Sequence, residues 1–414
     1  MMKYYVSGLL GLMLLGMGRL AAQTSDHPLS AIGPGWYQPY SWTAPAGTGM
    51  TRMTSHFPGF FSAAAPASAA RIAYTQLQMQ YSMRAHVWLQ DSFLWRISGR
   101  PAHLALAIPL RKKGGWGLYA QLTPLAKAGR RWTIQHIDST LPVQIMRIHK
   151  GALQELHFGL AWRPIPQLAF SAGPTYIWGL YQSQDEFNYP DTLTEYWDVV
   201  AIEHLRLARW SWTISADLQV NTGEWKHQLA IAFSPEVPLQ GQRVIDEGLV
   251  LGSSGNVTRI RTDTVNAAFT FPSRRRIGYS LMQRKRRFFI EYEQSTAPGP
   301  STAFRFGTWT QAFQKISLGY EWAPDRAPAS FFHGFRYGLG AYHTRQPFTH
   351  LSQPVQEQGL TFGTSFQAGN SPSRINAGMQ LGRLIPTNKG THWVAHFHIG
   401  INIADKWFQR PYWE

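Results

Sequence analysis

The histidines near the end of the chain are the first residues whose spacing suggests chemistry. His392, His396 and His398 are separated by even numbers of residues, so an extended backbone sets all three on one face. Neighbours at i and i+2 lie about 6.6 Å apart along a strand, a span that two imidazoles can bridge through a metal ion. No Cys, Asp or Glu within Thr391 to Ile403 completes a ligand set, and a polar, titratable wall is the simpler assignment. Glu291 and Glu293 form a second pair on one face. Paired carboxylates do acid–base work when their pKa values are pushed apart, but salt bridging to inward Arg or Lys is the preferred reading here. Ser215, Ser317, Ser365, His157 and His396 are nucleophile and base types that the sequence does not bring together. Neither a Gly-x-Ser-x-Gly elbow nor a His-Glu-x-x-His helix occurs. The expectation is a protein that is not an enzyme and that implies no cofactor and no metal.

The elements that carry these residues are strands. From Thr391 to Ile403, Trp393, Ala395, Phe397, Ile399, Ile401 and Ile403 alternate with His392, His396, His398, Gly400 and Asn402. Leu77, Met79, Tyr81, Met83, Ala85 and Val87 alternate in the same way with Gln76, Gln78, Gln80, Ser82, Arg84 and His86. A tilted strand crosses a bilayer in roughly 9–11 residues, and stretches of that length recur along the chain. A soluble sandwich shows the same alternation; many long strands joined by alternately short and long links favour an all-β, antiparallel transmembrane barrel, here of about 14 strands. Residues 236–265 read as a long polar link. The other faces are small and polar, and Asp217, Glu291, Glu293, Lys315, Glu321 and Arg336 join the three histidines as candidate lumen-lining residues. Such charges need a wet lumen or a partner, because an unpaired buried charge is costly.

Targeting and composition agree with export. Lys3 followed by the apolar Val6 to Met17 and by Leu20-Ala21-Ala22 reads as a signal peptide over residues 1–22. Its core is too short for a span of about 20 residues. There is no cysteine, hence no disulfide and no lipid-bearing N-terminal Cys. The formal charge is +16, and +14 once Lys3 and Arg19 are removed with the signal. Basic clusters at 111–113, 130–131, 274–276 and 284–287 read as turns and strand ends. An exported chain rarely meets nucleic acid, so the expected anionic partner is the outer-membrane lipid surface, including lipopolysaccharide. The 17 Trp, 17 Tyr and 23 Phe suit the aromatic girdles of a barrel. Residues 23–70, rich in Gly, Pro, Ser and Ala, read as a separate segment before a wall spanning 71–404, with a periplasmic tail at 405–414.

Three places resemble the FadL/TodX-type outer membrane transport proteins, and a divergent branch of them. Phe61-Ser-Ala-Ala-Ala-Pro-Ala-Ser-Ala-Ala70 stands where that family has an Asn-Pro-Ala-Ser-like hatch motif; Pro66, Ala67 and Ser68 match, and Ala65 replaces the Asn. Ala46-Gly-Thr-Gly-Met50 stands at a Gly-rich run, and Ile403 to Trp413, with Trp407 and Phe408, resembles the branch's ending. The resemblance implies a 14-stranded barrel with an N-terminal hatch, located in the outer membrane, that takes up small hydrophobic molecules such as fatty acids. Pro174, inside the strand Leu168 to Trp178, then marks either a kink that opens the wall sideways or a bulge near the strand end. The alternative function is a non-conducting accessory barrel that docks to other outer-membrane proteins. An apolar lumen pocket favours the first; a solidly packed hatch with one conspicuous surface patch favours the second.

Overall fold

The protein is described by a computed structural model over residues 30, 32–37, 53–54, 59–89, 93–110, 115–137, 142–189, 198–251, 256–299, 301–305, 307–323, 335–350, 353–367, 372–385 and 391–405. The signal segment, the run 46–50, the cluster 111–113 and the ending with Trp407 and Phe408 lie outside these residues.

The alternating stretches form one antiparallel ladder. A two-residue strand β1 (Trp36–Tyr37) lies inside it. The wall follows as β2 (Thr75–Leu89), β3 (Phe93–Pro109), β4 (Trp116–Ile137), β5 (Pro142–Ile165), β6 (Leu168–Asn188) and β7 (Asp198–Thr222). It continues as β8 (Trp225–Ser234), β9 (Val237–Leu251), β10 (Asn256–Phe271), β11 (Arg274–Gln283), β12 (Arg286–Ser295) and β13 (Gln314–Trp322). The last members are β14 (Phe335–His350), β15 (Gln353–Gln367), β16 (Arg374–Ile385) and β17 (Thr391–Asp405). β17 pairs with β2 and closes the wall, which removes the unpaired edges that lipid cannot solvate. β8 and β9 form one stave broken at Pro235-Glu236, and β10 and β11 the next, broken at Pro272-Ser273; proline cannot donate to a ladder. The result is a closed barrel of 14 antiparallel strands.

The two faces have opposite polarity. On β17, Trp393, Phe397 and Ile399 are exposed, whereas His392, His396, His398 and Asn402 are buried. Exposed Phe158, Leu160, Trp162, Phe170, Ile214 and Ile231 continue the apolar belt. Aromatic rings bound it. Trp116 stacks on Trp162 and Tyr320 on Trp322 near one rim, and Tyr176 meets Trp178 and Trp210 higher up. The two-residue turns between β5 and β6, β7 and β8, and β11 and β12 share the lower rim. Short turns mark the periplasmic side, and the chain enters β2 and leaves β17 at that same rim.

Two sequence expectations are corrected. Residues 236–265 are not a link but most of the hairpin β9–β10. Gln240, Gln242, Thr258, Arg259 and Thr262 are exposed there; above the membrane both strand faces meet water, so the alternation vanishes. Arg130-Arg131 lie within β4 rather than at a turn, whereas Arg274 to Arg276 open β11, at a strand end as expected. Arg274 and Arg276 point inward and are buried, and Arg274 pairs with the equally buried Glu155.

Candidate functional site: a filled lumen and a parted wall

The lower lumen is occupied by residues 59–72. Their small side chains let the backbone lie directly on the wall. A Cβ added at Gly117 would overlap the Ala69 carbonyl, and one at Gly278 would overlap Met53. Pro66 starts a 3₁₀ turn, Pro66–Arg71, in which Pro66 to Ala70 are buried. Ala65 precedes it without any side-chain cap, as expected of alanine. Two serines hold the turn instead. The Ser62 N–H donates to Ser68 Oγ at 2.8 Å, the Ala65 N–H to the Ser62 carbonyl at 3.2 Å, and the Ser68 N–H to the Ala65 carbonyl at 3.0 Å. The Ala67 N–H donates to Ser215 Oγ on β7 at 2.8 Å. Arg71 ends the turn as a clamp: its guanidinium donates to Asp217 Oδ1 and to the carbonyls of Pro166 and Gln167, each at 2.6 Å.

Higher up, the chain between β12 and β13 packs against residues 32–37. Tyr37 meets Trp309 and Phe313 edge-on at 4.9 and 4.7 Å, and Trp309 Nε1 donates to the Gly35 carbonyl at 3.1 Å. Leu153, Leu207, Leu239, Phe348 and Val394 join the same cluster from widely separated strands, so it reaches across the barrel.

The other lumen-lining candidates are distributed around the wall. Asp217 accepts from Gln228 Nε2 at 2.6 Å as well as from Arg71. Glu291 accepts the Met53 N–H at 2.9 Å. Glu293 lies between Arg276 and Lys315 in the register, and Glu321 pairs with Arg336 at 2.9 Å. His396 and His398 stack with ring centroids 6.1 Å apart, but the polar contacts of the three histidines go to different partners. His392 contacts His86, His398 contacts Gln80, and His396 takes an Arg84 N–H at 3.2 Å while lying 3.4 Å from Glu357. Among the described residues no cluster of three or more His, Asp or Glu is arranged to hold a metal. Ser215 is bonded to Ser171 and to the Ala67 N–H, and His157 to Tyr119 and Gln121, not to each other.

The wall parts between β3 and β4. They pair only from Leu104–Leu122 to Pro109–Gly117. Above that level β3 pairs with β2, and β4 with β5 on one side. On its freed side β4 takes β1, with Trp36 opposite Lys127 and Tyr37 opposite Ala126. Pro101 and Pro124 stand just above the last shared pair, each beside a register shift; they were the available sequence signal. Gly35 has φ 92° and lies on the Lys127 carbonyl, where a Cβ would overlap, so this approach requires glycine. Pro174 behaves differently. Next to it the β5–β6 ladder skips two residues and resumes in the same register, while Pro174 keeps Trp212 of β7 opposite.

On the outside, β5 to β8 and β11 enclose a concavity of about 950 Å³. Leu160, Trp162, Phe170, Ile214 and Ile231 line it, and Arg275 interrupts this apolar surface.

A closed 14-stranded wall with polar inside, apolar outside and aromatic bands defines an outer-membrane β-barrel. The chain belongs to the BamG family, whose model matches residues 1–414. Among solved structures, a Pseudomonas aeruginosa FadL homologue is similar over 89% of this chain and 99% of its own, with TM-score 0.62 and 12% identity. The Pseudomonas putida toluene transporter TodX (91% and 100% covered, TM-score 0.52, 10% identity) shares the fold. So does the Ralstonia pickettii toluene transporter TbuX (91% and 99%, 0.51, 10%). No curated protein matches the sequence. The fold is therefore of FadL/TodX type.

Proposed function

We propose that this is a non-conducting accessory barrel that docks to other outer-membrane proteins through the outer concavity on β5 to β8. Arg275 carries the reading. It is exposed on the outer face, with Phe233 and Gln294 opposite it and Ile277 next on its own face. An Arg facing lipid costs about 2–4 kcal/mol at mid-bilayer and less towards the interface. A partner that brings a carboxylate or carbonyl to Arg275 relieves this cost while its apolar side chains fill the concavity. The packing of residues 59–72 supports a barrel that does not conduct. Native mass spectrometry of protein extracted gently from its own membrane tests the idea. The expected result is a complex with other membrane proteins that falls at least about tenfold in Arg275→Leu, with the barrel still folded. A lone barrel carrying lipid-like ligands would overturn it.

The second reading is uptake of small hydrophobic, fatty-acid-like molecules past residues 59–72 acting as a hatch, or sideways through the wall. The parting of β3 and β4 favours it. Proteoliposomes that take up a fluorescent fatty acid faster than empty liposomes would place this reading first; equal rates would remove it.

A further inference from the structure

The parted wall between β3 and β4 holds a small cavity of a different character. Arg84, Arg100 and Lys127 line it together with Ser82, Ser98 and Trp36, and no carboxylate is among its described lining residues. Its free volume is about 20 Å³, room for one oxygen-sized group, and it is partly open. The Arg84 guanidinium lies over Trp36 at 4.6 Å, which fixes its orientation. Arg84 lies 3.6 Å from the Glu357 carboxylate. That carboxylate already accepts from Tyr342 Oη at 2.7 Å and lies 3.4 Å from His396. Its charge is therefore shared among Arg84, Tyr342 and His396. Two guanidinium groups, an ammonium and two hydroxyls are the donor set of a phosphate site.

Depth indicates where the phosphate comes from. Trp116 stands in the lower aromatic band at the start of β4. A crossing of roughly 9–11 residues from there brings the upper interface close to Lys127, the level of outer-leaflet headgroups. The gap above Leu104 and Leu122 faces this level.

We propose that the cavity between β3 and β4 binds a phosphate group, carried by a lipid headgroup that enters through the parted wall or present as free inorganic phosphate. One phosphate oxygen fills the cavity and the remainder of the group faces the opening. The site requires neither docking nor uptake, and it gives the β1 seat on Lys127 a ligand-dependent strength.

The test uses the full-length protein in a neutral detergent. Inorganic phosphate is titrated by calorimetry, and phosphatidylglycerol and diacylglycerol are compared by native mass spectrometry. The expected result is one phosphatidylglycerol per barrel, no retained diacylglycerol, and affinity at least about tenfold weaker in Arg100→Gln/Lys127→Gln. Lys127→Gln alone gives a smaller loss should the double variant fail to fold, and Arg284→Gln, at the far rim, changes nothing. Binding of both probes, or of either one alone, supports the site if the variants abolish it, and which probe binds identifies the source. Absence of binding in the wild type, or binding that the variants leave unchanged, overturns it.

Discussion

Arg71→Ala is expected to lower the unfolding free energy of the barrel by about 3–5 kcal/mol, the usual cost of removing one partner from a buried ion pair. Asp217 is fully buried and Arg71 nearly so. Without the guanidinium, Asp217 retains amide donors from Gln228 and Gln219 but no neutralising charge at hydrogen-bond distance among these contacts. Two backbone carbonyls at the β5–β6 turn lose their donor as well. Urea unfolding in detergent reads the effect. Asp217→Asn should recover part of it in the Arg71→Ala background, because the two changes remove the same interaction. Equal midpoints for wild type and Arg71→Ala would show that the clamp adds nothing.

Gly35→Val should act on the wall rather than on global stability. A valine at φ 92° is strained, and its Cβ overlaps the Lys127 carbonyl. Left-handed strain of about 1–2 kcal/mol and overpacking of about 1–3 kcal/mol together oppose the seating of β1 on β4. With Trp36 and Tyr37 displaced, β4 has no neighbour on its freed side and the gap above Leu104 opens. Amide hydrogen exchange along β4 beside β1, at Ala126 to Ala128, should be faster in Gly35→Val than in the wild type, while planar bilayers stay silent with both proteins because residues 59–72 still fill the lower lumen. Equal exchange in the two proteins would show that β1 is not the seal.

The barrel was legible in the sequence because lipid on one side and a polar interior on the other impose a period of two. β2 and β17 carry that period almost without a break, and their inward residues could be named individually. Legibility ended where one of the two environments changed. In the parts of β9 and β10 above the membrane water lies on both faces, so Gln240, Asp246, Arg259 and Thr262 read as a link. The chain around Trp309 and Phe313 packs inside the barrel, and its burial comes from contacts with Trp36 and Tyr37 more than 270 residues away, which no local pattern reports. The parting of β3 and β4 is a relation between two strands; Pro101 and Pro124 permit it, but neither alone distinguishes a parting from a bulge, as Pro174 illustrates. Arg275 looked like one member of a basic run because single-residue alternation in β11 separates it from its neighbours only once the register is known.

The seam between β2 and β17 joins Thr75 to Asp405, residues from opposite ends of the chain, and bringing them together carries the largest loop-closure entropy of any wall pair. The segment that fills the lower lumen immediately precedes β2. It is synthesised first, yet it is enclosed only when the final strand arrives. Residues 59–72 are thus tethered directly to the strand that receives the last one, so the contents of the lumen and the closing of the wall are joined at Thr75. Whatever pulls on the filling of this barrel therefore pulls on its seam as well.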